Sequence, residues 1–211
     1  MKTALTAILF LLLSQPLYAD SGVSIEIPFM EFFISCSREL DIPMPAALAI
    51  ARVESGLKPW TLNVAGRTFR FSSKAEAMAK AAQARRDGRS FDVGIMQINN
   101  WWLDRYEISL EAAFDPLANI YLGCWIFKQE LARHKDLRLA IGAYHSPDPL
   151  RASRYADQVM KALVRGPVSQ SSTKTTAVVS RPASQKYPPV NKAAPLKVGY
   201  NFDNSMKVRK K

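Results

Sequence analysis

Apolar positions recur at three- and four-residue intervals along most of this chain and alternate only in one short region. Pro28–Leu40 carries Phe29, Phe32, Phe33, Cys36 and Leu40 on one helical stripe, with Arg38 and Glu39 turned away. Asp41-Ile42-Pro43 breaks that helix. A second runs through Ala46–Gly56, with Pro45 at a first helical position and Gly56 where a helix would end. Trp60–Val64 and Arg67–Phe71 flank Ala65-Gly66 and read as two short strands around a turn. Ser73 and Glu76 form a capping box that opens an alanine-rich helix, Lys74–Arg86. Further helices are predicted over Trp101–Tyr106, from Pro116 to about His134, from Asp136 through Tyr144, and over Leu150–Arg165, with a helical turn at Ser109–Phe114. The pattern predicts a mainly helical domain of six or seven helices with one small β-hairpin.

The two ends depart from this periodicity. Residues 1–19 read as a secretory signal: Lys2, an apolar run over Ala4–Leu13 too short to span a bilayer, and Ala19 before a cut at Asp20. The folded domain is then expected over residues 20–166. Residues 167–211 are rich in Ser, Thr, Lys and Pro, a composition that cannot bury enough surface to offset chain entropy, and are expected to be a disordered basic tail. The chain's net charge is +11, and the stretch from Gly166 onward holds nine bases against one acid, Asp203. The domain itself is therefore close to balanced, which argues against stable nucleic-acid binding by it. Export would place Cys36 and Cys124 in an oxidising periplasm, where two cysteines on separate helices suggest one bridge; two separately buried thiols are the other reading.

One carboxylate sits where an acid is costly. Ala47, Ile50, Ala51 and Glu54 share a helix face that is otherwise apolar. Burial and the negative end of the helix dipole both disfavour ionised Glu54, the condition a general acid needs near neutral pH. Downstream, Gly94 interrupts the apolar run Phe91–Asn99, as glycine does where backbones approach closely. Gln97 and Asn99 are amides among apolar residues. They would either bind sugar hydroxyl and acetamido groups or cap the helix Trp101–Tyr106. The inserted hairpin and helix lie between Glu54 and this run, and would either wall a cleft or form a surface insertion.

Three marks thus stand in order: Glu54-Ser55 at a helix end, Gly94-Ile95-Met96-Gln97, and Ala143-Tyr144 at a later helix end. Over roughly Pro28 to Arg165 the chain resembles the SLT-type lytic transglycosylases, lysozyme-like enzymes that cleave peptidoglycan, whose pattern is E-S, G-L-M-Q, A-Y-N. Its general character is similar to the small members that accompany conjugation, type IV pilus and secretion machines. The resemblance implies a lysozyme-like helical fold with the hairpin near the active-site cleft. It makes Glu54 the catalytic acid/base and Tyr144 the tyrosine whose hydroxyl lies close to it. Ser55, Gly94, Met96 and Gln97 match substrate-placing positions. Ile95 replaces Leu, and His145 stands where Asn is usual, within the same substrate-facing set.

A single motif glutamate implies a reaction whose nucleophile comes from the sugar itself. Glu54 would protonate the β-1,4 oxygen between N-acetylmuramic acid and N-acetylglucosamine, then accept the proton of the muramyl C6 hydroxyl as a 1,6-anhydro ring closes. The scheme calls for no cofactor and no metal, a monomer, and glycan strands as the partner beside components of such a machine. A hydrolytic muramidase using Asp92, and an inactive glycan-binding assembly factor, are the alternatives.

Overall fold

Helices form where the apolar stripes place them in the computed structural model of the chain, which describes residues 27–165. Helix α1 (Met30–Leu40) stops at Asp41, and α2 (Met44–Ser55) ends on Gly56, whose φ of 66° lets its N–H reach the Arg52 carbonyl. The strands β1 (Thr61–Val64) and β2 (Arg67–Arg70) form the expected antiparallel hairpin. Ser73 then caps α3 (Lys74–Arg86) through its hydroxyl and the Glu76 N–H. The expected signal over residues 1–19 and the tail over 167–211 lie outside the described residues.

The hairpin is only half of the sheet. Phe91–Asn99 folds back as β3 (Phe91–Val93) and β4 (Ile98–Asn99), and β3 pairs with β1, giving four antiparallel strands in the order β2-β1-β3-β4. This corrects the single hairpin. It also settles the role of the inserted segment in the fold: β1 is an inner strand of the sheet that carries the glycine-bearing run. Each of the two short strands pairs over only two or three residues, too few to leave a period-two signature.

Five further helices follow: α4 (Asn100–Arg105), α5 (Leu110–Ala113), α6 (Pro116–His134), α7 (Leu137–His145) and α8 (Pro149–Arg165). Asn99, Ser109, Asp115 and Asp136 cap α4 to α7, each accepting a backbone N–H of the first turn. The described residues therefore hold eight helices, because the single turn expected near Ser109 is a separate helix between two capped ones. The long α6 is the spine. Its buried face, including Ile120, Cys124 and Phe127, packs on α1 and α7, while α8 closes over α2 and α7. Among the described residues no helix is long and apolar enough to cross a membrane.

Candidate active site

The run Gly94-Ile95-Met96-Gln97 is the turn that joins β3 to β4. Its conformation is demanding: Gly94 has φ 79° and Gln97 has φ 47°. At Gly94 a Cβ would overlap the Asn119 side chain, so the backbone can lie against α6 only without one. The Gln97 amide closes the turn, donating from Nε2 to the Gly94 carbonyl at 2.8 Å and to the Thr61 carbonyl at 3.2 Å. Asn119 fastens the turn to the spine. Its Oδ1 accepts the Met96 N–H at 2.8 Å, and its Nδ2 donates to the Val93 and Ala113 carbonyls. Gly123, one turn along α6, leaves the space that the Met96 side chain fills.

Two side chains grip successive carbonyls of this turn. Ser55 Oγ donates to Ile95 O at 2.8 Å, and Tyr144 O–H donates to Met96 O at 2.8 Å. The residue next to each gripping side chain is Glu54 in one case and His145 in the other, and these two face one another, with His145 Nδ1 3.6 Å from Glu54 Oε1. The same Oε1 accepts the phenolic hydrogen of Tyr155 at 2.9 Å. The His145 and Tyr155 rings are stacked, with centroids 4.3 Å apart and planes within 5°. Glu54 thus lies where α2, α7 and α8 converge beside the turn. Its side chain keeps a tenth of its surface exposed, so it is largely enclosed without being sealed. Such enclosure works against the charged form of the carboxyl, while each hydrogen bond it accepts works for that form.

The structure brings these residues to one place and gives their hydroxyl groups partners. The hydroxyl hydrogen that reaches Glu54 belongs to Tyr155, whereas that of Tyr144 goes to the Met96 carbonyl. Ser55, Ile95 and Met96 are at most 1% exposed, and Ser55 faces the turn. As placed, these three build the wall of the site, since their side chains are packed inside the protein. Asn99 does both tasks of a buried amide internally: Oδ1 caps α4 and Nδ2 donates to Asp92 Oδ1 at 2.8 Å. Asp92 is itself 6% exposed within β3.

Tyr155 and Asn119 were not singled out from the sequence. Tyr155 sits on the α8 stripe with Ala156 and Val159, where an aromatic reads as core. Asn119 is a polar residue between apolar neighbours on α6, and that was the available signal.

Two features lie nearby. A cavity of about 420 Å³ opens between α6, α7 and α8, with Tyr144, Ser146, Trp102, Glu130 and Arg133 in its wall; Glu54 is not among its lining residues. Cys36 and Cys124 meet between α1 and α6 as buried thiols, their Sγ atoms 2.7 Å apart. The structure thus brings together the two cysteines between which the sequence suggested a bridge. Burial raises the proton affinity of the Cys124 thiol.

Comparison with known proteins bears on this arrangement. Residues 31–161 match the family model described as the transglycosylase SLT domain. The chain is 28% identical over 187 residues to the type IV secretion system protein VirB1 of Brucella abortus biovar 1 (strain 9-941), covering 77% of this chain and 78% of that protein. It is 27% identical, with the same coverage, to the type IV secretion system protein VirB1 of Brucella suis biovar 1 (strain 1330). No solved structure matches the chain.

Proposed function

The chain belongs to the transglycosylase SLT family and is a lytic transglycosylase, and on that premise we propose that Glu54 alone supplies its acid and its base. The observation that carries this is the largely enclosed Glu54 carboxyl, held at Oε1 by Tyr155 and set beside the Gly94–Gln97 turn.

Cleavage of the β-1,4 bond between N-acetylmuramic acid and N-acetylglucosamine starts with transfer of the Glu54 proton to the bridging oxygen. The bond to muramyl C1 breaks, and positive charge develops there, next to a 2-acetamido group able to share it. Glu54, now a carboxylate, takes the proton from the muramyl C6 hydroxyl as that oxygen bonds to C1. The glutamate ends the cycle protonated, and the product carries a 1,6-anhydro ring. Enclosure favours the acid in the first step. The Tyr155 hydrogen bond stabilises the carboxylate between the two steps. Tyr144, Ser55 and the Gly94–Gln97 turn hold the wall against which the glycan lies, with His145 at its edge.

The VirB1 relatives and the expected signal support a periplasmic site of action, with the enzyme opening the wall for a type IV secretion or related apparatus. The hydrolytic alternative would draw on Asp92, whose carboxylate is tied to Asn99 inside the sheet. Digestion of purified sacculi followed by mass analysis of the released muropeptides tests the proposal. Anhydro-muramyl ends that disappear with Glu54→Gln are expected; reducing ends would establish hydrolysis instead, and release undiminished by Glu54→Gln would overturn the assignment.

A further inference from the structure

Histidine 145 is where this chain departs most from the family pattern, and it stands against the proposed acid. The pairs Glu54-Ser55 and Tyr144-His145 are built alike. In each, one member bonds a carbonyl of the Gly94–Gln97 turn, which fixes the backbone of the other. Glu54 and His145 are therefore locked across from one another at 3.6 Å by two hydrogen bonds to a single rigid turn. Tyr155 adds a third constraint, since it bonds Glu54 Oε1 and stacks on the imidazole. The side chains of His145 and Glu54 are only 7% and 10% exposed, so water screens their interaction weakly. An asparagine here could offer hydrogen bonds but could not change charge.

We propose that His145 is a positioning residue that shares a titratable proton with Glu54 and so sets the pH range over which Glu54 can act as an acid. The inference rests on the reading of Glu54 as the acid/base. The titratable groups brought against the imidazole include Glu54 from α2 and Tyr155 from α8. Asp148 and Arg151, which follow shortly in the chain, pair with one another.

With one proton on the pair, two arrangements compete: protonated Glu54 beside neutral imidazole, and the Glu54 carboxylate beside imidazolium. Only the first can donate to the glycosidic oxygen. Imidazolium also favours the carboxylate by its charge. No proton is gained or lost in moving between the two.

Two measurements on the full chain test this. The first is the pH profile of kcat/KM for soluble muropeptide release by wild type and His145→Asn. The alkaline limb of the variant is expected about half a pH unit or more above that of wild type, because asparagine cannot compete for the proton. A profile merely scaled down, with its limb unmoved, would show a packing role only and overturn the proposal. The second needs no activity. The chain holds two histidines, His134 and His145, so ring resonances are assignable from His145→Asn. The His145 titration curve is expected to change in Glu54→Gln while that of His134 does not; an unchanged His145 curve would overturn the proposal. If wild type releases no fragments but the ring curves respond, the proton sharing stands and the reading of function fails.

Discussion

Tyr155 donates its phenolic hydrogen to Glu54 Oε1 at 2.9 Å, joining residues 101 positions apart through the packing of α8 on α2. The bond gives the carboxylate a fixed donor at the moment it has surrendered its proton. Tyr155→Phe keeps the ring and its stack on His145 and removes that donor. A hydrogen bond to a charged group is worth about 1.5–3 kcal/mol, so kcat is expected to fall about 10- to 100-fold. Thermal unfolding should shift little. Kinetics of muropeptide release alongside calorimetry check both halves; unchanged kcat would remove Tyr155 from the mechanism.

Tyr144→Phe should behave in the opposite sense. Its hydroxyl serves the Met96 carbonyl, which is buried with the turn. Losing that donor costs about 1–3 kcal/mol of stability. Activity should fall less than in Tyr155→Phe, because the Tyr155 bond to Glu54 is untouched. Denaturant unfolding of the two phenylalanine variants side by side separates the tyrosine that holds the wall from the one that holds the acid.

The fold was legible where a local signal existed. Helix starts could be read from Asp115-Pro116 and Asp136, and α2 from Pro45 and Gly56, because caps and apolar stripes are written within a few residues. Glu54 stood out as an acid on an apolar face. The site's second half was not readable in the same way. That Tyr155 and not Tyr144 donates its hydroxyl hydrogen to Glu54 depends on how α8 crosses α2, and no spacing within either helix records that angle. The pairing of β3 with β1 is likewise a contact between segments separated by α3, and β3 is too short to announce itself as a strand.

Glu130 offers a test by pH. Its carboxyl, 5% exposed on α6, is bound by Arg133 at 2.7 and 2.9 Å with His134 3.5 Å away. Burial nonetheless outweighs these cations and raises its pKa above the ordinary carboxylate value. A group whose folded pKa is raised adds stability in full below its unfolded pKa of about 4.3 and loses it as pH climbs through the folded value. Glutamine cannot ionise. The stability of Glu130→Gln relative to wild type is therefore expected to improve as pH rises from about 4 and to level off once the pH has passed the raised folded value. Urea melts at several pH values would show it; a difference that is flat, or falls with pH, would mean that Arg133 dominates.

Cys36 and Cys124 are in contact between α1 and α6, next to a bond from Tyr121 O–H to Glu39 Oε1. In an oxidising compartment the two thiols are expected to lose two protons and two electrons to the thiol oxidant there and join. The loop so closed spans a sequence separation of 88, for which the chain-entropy model gives about 4–5 kcal/mol. Protein isolated after export should lack free thiols and lose thermal stability when reductant is added. Two alkylatable cysteines in the unfolded exported protein would show that the pair stays reduced.

One amide, that of Asn119, fastens the turn that carries Gly94 to α6, and a double-variant cycle isolates it. Alanine at position 94 faces two penalties: a φ of 79°, which disfavours any side chain, and overlap with Asn119. The backbone penalty is a property of residue 94 alone, whereas the overlap needs both partners. Asn119→Ala by itself removes three hydrogen bonds that tie Met96, Val93 and Ala113 together, and is expected to cost about 2–4 kcal/mol. Gly94→Ala should cost at least as much. Combined, the two should cost less than their sum by about 1 kcal/mol or more, because the shortened side chain at 119 makes room for the new methyl. Activity should not return in the double variant, since Met96 and its carbonyl would no longer be held for Tyr144. Strict additivity in chemical denaturation would mean that the turn avoids the clash by shifting away from α6, and that Asn119 does not dictate the glycine.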